Sequence, residues 1–311
     1  MSHVRRIATV AATTAVLVGS LATGAAAETL ADVLERTQGS TYTADRLTVS
    51  IWGGETQIAK ASVEHADGTE MVRIDSTWSM VGNGRAMVLD ESPDGVAFMT
   101  HAQSIETNRY TIGETRPARH MQRDCTVVPV YEGKILRATL LVDDHTGASL
   151  ISQYFAEDGS TFRRNSLQNF RAYRTYDAPR DVRGTYEVLM PMESELLPEE
   201  VAGYELVDVF RAPAESAQGF YSDGLFSFSL FVFTPGTDVT GFQDAKPYVL
   251  DSGTYDARPT PQDVRIHWTA PDHEYVLVGD LPPDHVADVL AELPAPDARS
   301  IFARLWNALF G

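Results

Sequence analysis

The sequence predicts an α+β protein built as a long antiparallel strand meander followed by a smaller domain in which one helix packs on a sheet. Three observations predict it. Apolar residues recur with a period of two through much of the first half. Glycine-containing turns (Gly53-Gly54, Asp67-Gly68, Asn83-Gly84, Asp94-Gly95, Glu132-Gly133, Thr146-Gly147 and Asp158-Gly159) separate these runs at hairpin spacing. A second strand pattern then begins after a Pro-containing acidic stretch and ends in a helical repeat. With 311 residues, 43% of them hydrophobic, the chain is long enough for about two cores.

Residues 1–27 read as a signal peptide. Arg5 and Arg6 form the basic start, Ile7–Leu21 an apolar or small-residue run, and Ala25-Ala26-Ala27 an A-x-A cleavage pattern. The run is short for a membrane span, which is the competing reading. The mature chain is therefore expected to start near Glu28, in the periplasm or another extracytoplasmic space. Losing Arg5 and Arg6 moves the net charge from -18 to -20. That acidity disfavours nucleic acid and anionic membrane surfaces as partners over most of the molecule. Cys125 is the single cysteine, so no internal disulfide can form, and its strand-like setting points to a buried structural thiol.

The large unit is expected over 28–178. Glu28–Gln38 places Leu30, Val33 and Leu34 at helical spacing. Leu47, Val49 and Ile51 then alternate with Thr48, Ser50 and Trp52, and at least seven strands fit between Leu47 and Tyr176. Ala102–Arg123 breaks the rhythm and reads as a long connection with helix or irregular structure. A sheet of this length twists and buries one face, by closing as a barrel or curling around a helix. Trp52, Trp78, Met80, Met87, Phe98 and Met99 cluster in its first half. The core accounts for most of these, and the remainder are candidates to line an apolar concavity, where Met adapts to variable ligands.

Residues 179–198, with Pro179, Pro191 and Pro198, read as a linker. The small domain is expected over 199–296. Tyr204–Phe210 is a strand, Phe220–Phe233 a turn and a strand, and Val264–Trp268 and Glu274–Val278 flank a loop. Val286, Val289, Leu290 and Leu293 repeat at helical spacing after Pro282-Pro283. The aromatic strand "FYSDGLFSFSLFVF" has two apolar faces, and the helix can cover one. Tyr221, Phe226, Phe228 and Phe231 are candidate partner contacts. A core role for Phe226, Phe228, Phe231 and Phe233 is the competing reading. Residues 297–311 place Ile301, Phe302, Leu305, Trp306, Leu309 and Phe310 on one helical face. This tail could lie on a membrane, dock in a groove or pack back on the protein.

No catalytic signature emerges. H-E-x-x-H, P-loop and clustered-cysteine patterns are absent, and Ser222 in "GFYSDG" lacks nucleophile-elbow spacing. His145, His267 and His273 stand beside carboxylates without ligand spacing. Asp143, Asp144 and Asp158 fall at hairpin turns, where Asp is favoured for local hydrogen bonds. The expectation is a binding protein, not an enzyme, without metal or cofactor.

Three segments resemble the MucB/RseB family of regulators that act on anti-sigma factors outside the cytoplasm. They are Cys125–Phe170 with its "LVDDHTG" hairpin and "DG" turn, "LPEEVAGYELVDVF" leading to "FYSDGLFSFSLFVF", and "YVLVGDLPPDHVADVLAEL". The "LVDDHTG" hairpin style is shared with lipoprotein carriers of the LolA type. The resemblance implies a LolA-like large domain, an incomplete antiparallel β-barrel with helices, joined to the small α+β domain. It also implies a membrane-bound anti-sigma factor as partner, shielded from regulated proteolysis and released on a lipid-like envelope-stress signal. The alternative is a periplasmic lipid or lipoprotein carrier. Whether the protein forms a homodimer stays open.

Overall fold

The computed structural model describes residues 28–66, 69–74, 77–82, 85–89, 108–173, 196–212, 216–237, 239 and 241–297. Residues 1–27, read above as a signal peptide, most of the stretch read as a linker, the tail after residue 297, and Phe98 and Met99 lie outside the described residues.

The chain enters through helix α1 (Leu30–Gln38). Thr29 caps it. Its Oγ1 accepts from the Asp32 amide at 3.2 Å, and Asp32 Oδ2 accepts from the Thr29 amide at 2.8 Å. This reciprocal box satisfies two donors that a helix start leaves open. Leu30 and Val33 are buried and join the main core.

Eleven strands follow: β1 (Tyr42–Trp52), β2 (Glu55–Ala66), β3 (Thr69–Ile74), β4 (Thr77–Gly82), β5 (Arg85–Leu89), β6 (Tyr110–Ile112), β7 (Arg116–His120), β8 (Arg123–Glu132), β9 (Ile135–Asp143), β10 (Ser149–Phe155) and β11 (Thr161–Ala172). They form one antiparallel sheet in the order β5-β4-β3-β2-β1-β11-β10-β9-β8-β6, with β7 also on β8. Hairpins set nearly every step. The exceptions are β6 on β8, which passes over β7, and β1 on β11, a pairing that joins the two ends of the domain. Among the described residues β5 and β6 do not pair, so the sheet is an incomplete barrel.

The expectation of helix or irregular structure at Ala102–Arg123 is corrected where the chain is described. Its part from residue 108 holds β6 and β7, both laid along β8. Their shortness and the polar "RPARH" of β7 hide the period of two, and a Pro is tolerated on such a strand. On β1 the face carrying Thr48 and Ser50 turns inward, while Ile51 is exposed. Asp143 acts as the hairpin reading anticipates. It accepts from the Thr146 amide at 2.9 Å, and it also accepts two bonds from Arg123 at 2.7 and 2.9 Å. Cys125 is fully buried, and burial followed by the nearby Asp143 charge holds its thiol above the ordinary value.

The second sheet contains β12 (Glu200–Val201), β13 (Tyr204–Ala212), β14 (Ser216–Ser222), β15 (Ser227–Phe233), β16 (Lys246–Leu250), β17 (Gly253–Pro259), β18 (Val264–Thr269) and β19 (Glu274–Gly279). Its order is β12-β13-β14-β15-β19-β18-β17-β16. Helix α2 (Pro283–Glu292) starts at Pro283, where a missing amide costs nothing, and buries Val286, Val289 and Leu290. The aromatic stretch proves to be a hairpin. Phe220–Ser222 end β14, Asp223 and Gly224 turn the chain, and β15 returns. Phe228, Leu230 and Val232 join the core that includes α2. Phe231 joins Val276 and Val278, with Phe233, Val239 and Phe242 packed around them. Both faces of β15 are thus covered within the small domain.

Candidate functional site

The two sheets meet at a seam of aromatic and charged side chains. Phe226 projects from the β14–β15 turn into the large domain. Its ring lies 5.8 Å from Tyr154, 6.0 Å from Phe162 and 6.2 Å from Tyr110, and 5.7 Å from His285 of its own domain. Asp223 aims this ring. Its Oδ1 accepts from the amides of Leu225 at 3.0 Å and Phe226 at 2.8 Å, which locks the turn. Its Oδ2 accepts from the Tyr110 hydroxyl at 2.6 Å, so one carboxylate shapes the turn and ties it across the seam.

Beside this plug, Glu132 gathers three donors. Arg109 Nε donates to its Oε1 at 2.6 Å, Arg137 Nε to its Oε2 at 2.7 Å, and His285 Nε2 lies 3.1 Å from Oε2. Arg137 also pairs with Asp284 at 2.7 Å, and Arg109 Nη1 donates to the Ala202 carbonyl at 3.1 Å. His285 Nδ1 lies 2.6 Å from the Tyr204 hydroxyl. Burial alone would raise the Glu132 carboxyl. The hydrogen bonds from His285, Arg109 and Arg137 outweigh it and hold the group well below the ordinary carboxylate range. Burial, then Asp223, pushes the Tyr110 hydroxyl far above its ordinary value, which keeps it a donor.

Backbone irregularities aim several of these groups. The β8–β9 register shifts between Val130 and Tyr131, leaving Arg137 as an extra residue turned toward the seam. The β10–β11 register shifts between Tyr154 and Phe155, and Phe162 is the extra residue there. Gly203 has φ +77°, and a Cβ on it would lie 2.9 Å from Arg109 Nη1, so glycine lets the guanidinium approach.

Magnitudes separate the two components. A buried ion-pair network roughly balances its own desolvation, so its main effect is on register and orientation. A buried Phe contributes about 1.5–3 kcal/mol. The aromatic plug therefore supplies most of the adhesion, and the charges supply the fit.

The sequence candidates fall in different places. Phe226 is at the seam. Tyr221 and Phe228 stack on each other at 4.8 Å inside the small domain, and Phe231 is in the core on the other sheet face. Trp52 is partly buried, 5.7 Å from Tyr248 of the small domain. Trp78 and Met80 lie on β4 and Met87 on β5, with side chains outside the described set. Sequence reading did not pick out Arg109, Tyr110, Glu132, Arg137 or His285. The available signals were a charged Arg137 inside the apolar run "ILRATLLV" and a His at a helix position flanked by Val286. Among the described residues no group of three or more potential metal ligands assembles, and no helix is long and apolar enough to cross a membrane.

Fold and seam together define a two-domain protein, an open antiparallel sheet whose mouth receives a hairpin from a smaller helix-on-sheet domain. This is the fold of MucB. The Pseudomonas aeruginosa MucA/MucB complex matches with a TM-score of 0.50 at 17% identity, covering 86% of this chain and 99% of that one. A crystal structure of MucB matches with a TM-score of 0.50 at 16% identity, covering 85% of this chain and 95% of that one. A LolA superfamily protein from Nitrosomonas europaea aligns over 83% of this chain at a TM-score of only 0.23, which does not establish a shared fold. No protein-family model matches the sequence, and no curated protein matches it.

Proposed function

We propose that this chain is an extracytoplasmic regulator that binds the exported segment of a membrane-bound anti-sigma factor, shields it from proteolysis and releases it on a lipid-like signal. The observation that carries this reading is the shared two-domain fold with MucB, a protein crystallised in complex with MucA. The seam supports it. A partner that contacts both domains is gripped only while Phe226 and the Glu132 cluster keep them together, so a ligand that favours the parted arrangement weakens the grip. Only the difference in ligand affinity between the two arrangements can drive release. A tenfold loss of partner affinity needs about 1.4 kcal/mol of such coupling. The carrier alternative needs an unobstructed mouth, and Phe226 fills part of it.

The test is capture of the exported anti-sigma-factor segment by the mature chain, followed by timed proteolysis of that segment. The expected result is retention of the segment and slowed cleavage, both reversed by acyl-chain detergent below its micellar concentration. Failure to retain the segment, or cleavage at the free rate while it is bound, overturns the reading.

A further inference from the structure

The large sheet has a second face, turned away from the Phe226 plug. On the plug's side Tyr154, Arg163 and Ser50 share one cross-strand row. Residues that alternate with these project the other way. There, one row runs Val127–Leu141–Ile151–Ser166–Leu47–Lys60 from β8 through β9, β10, β11 and β1 to β2. The adjoining row on the same strands runs Pro129–Thr139–Gln153–Arg164–Val49–Ile58. None of these residues is buried, and Ile58 is 65% exposed. None is acidic, although the chain has 43 Asp and Glu against 25 Lys and Arg. Lys60 and Arg164 are the cations of the band, and Arg116 adds a third opposite Val127. None of the three enters an ion pair among the described residues.

Beside Ile151 and Ser166 the band opens into a cavity of about 350 Å³, which Arg164 also lines and which His120, Met121 and Asn169 close. Met121 and Gln122 make the two-residue turn from β7 to β8 at φ +51° and +62°, a conformation that Asn-Gly suits and Met and Gln do not. Asn169 is left-handed too, at φ +50°, where the β1–β11 register shifts. Its Nδ2 donates to Asp45 at 2.6 Å, so that neighbouring acid is engaged. Strained backbone concentrates where a geometry is held for binding. We propose that this band docks an extended acidic segment of a partner polypeptide, with one carboxylate on Arg164 at the cavity and a second on Lys60. Arg164 and Lys60 stand two strands and one side-chain repeat apart, roughly 12 Å, and side chains at i and i+4 of an extended segment stand about 14 Å apart. The side chain at i+2 points the same way and meets the apolar Leu47, Val49 and Ile58. Charge complementarity selects an acidic partner, and the acidity of the rest of the chain works against an anionic membrane or a nucleic acid. The twist of a sheet makes the band a curved strip, which follows a single segment better than a flat bilayer. This inference goes beyond the anti-sigma-factor reading and does not depend on it.

The probe is a fluorescein-labelled octapeptide, Glu-Ser-Leu-Ser-Glu-Ser-Leu-Ser, titrated with the mature chain at low salt and followed by anisotropy. It is expected to bind saturably. Arg164→Glu should weaken it about 10-fold, because a like charge then faces the carboxylate. Ile58→Ser should weaken it several-fold, and because both side chains are exposed, both variants should keep the wild-type circular dichroism. Glu-Ser-Ser-Leu-Glu-Ser-Ser-Leu, which turns the leucines to the opposite side, and the peptide with Lys for Glu should both bind more weakly. No saturable binding, equal binding of either control peptide, or an affinity unchanged by Arg164→Glu overturns the proposal. Arg164-dependent sedimentation with phosphatidylglycerol vesicles, without peptide binding, overturns it in favour of a membrane. Anti-sigma-factor capture is measured separately, so loss of either reading leaves the other standing.

Discussion

Asp223 explains why a hydrophobic hairpin carries so polar a turn. Its two oxygens separate the work: Oδ1 holds the turn that projects Phe226, and Oδ2 receives Tyr110 from the other domain. Phe226 itself is 1% exposed and touches aromatic rings of β6, β10 and β11. Phe226→Ala should cost about 3 kcal/mol, the usual loss for a buried aromatic. Because the missing ring is lost from the part of the core that joins the two sheets, unfolding in urea should separate into two transitions, followed by circular dichroism and intrinsic fluorescence together. A single, merely shifted transition would show that the domains are held by something else.

At the scale of elements, period and turn chemistry specify most of the fold. Helix α1 is readable from Thr29, Asp32 and the apolar Leu30 and Val33, and α2 from Pro283 and the Val286–Val289–Leu290 repeat. Thr29→Ala removes the cap and should cost about 1 kcal/mol. A urea midpoint unchanged within error would mean that water satisfies those amides equally well. The hairpin β9–β10 was legible because Asp and Gly favour its turn conformation locally. Strands β6 and β7 were not, since a three-residue run and a Pro-containing polar run carry too little periodicity. The bulges that aim Arg137 and Phe162 were also hidden. An extra residue in a ladder is defined only against the partner strand, and nothing in a single strand's own sequence reports it.

For the molecule as a whole, Glu132 couples the domains through Arg109, Arg137 and His285. Its folded carboxyl titrates well below its ordinary value of 4.5. A depressed acid contributes its stabilisation fully above the ordinary value and loses it as pH falls toward the folded one. Glu132→Gln should therefore cost about 3 kcal/mol at neutral pH, as breaking a buried network does. The gap to the wild type should narrow steadily below about pH 4.5. Urea midpoints of both proteins at neutral pH and at two acidic values measure this, and a gap independent of pH would deny Glu132 its charged role.

By itself the sequence determined the α+β class, the large meander and both helices. These follow from local rules: periodicity, caps and turns act between residues a few positions apart. Tertiary structure alone decided that β1 pairs with β11, that Phe226 plugs the neighbouring domain, and that Arg109, Glu132, Arg137 and His285 converge. Those positions span residues 109 to 285, and whether a buried charge there finds its counterpart depends on how two separately formed sheets dock, which no local pattern encodes.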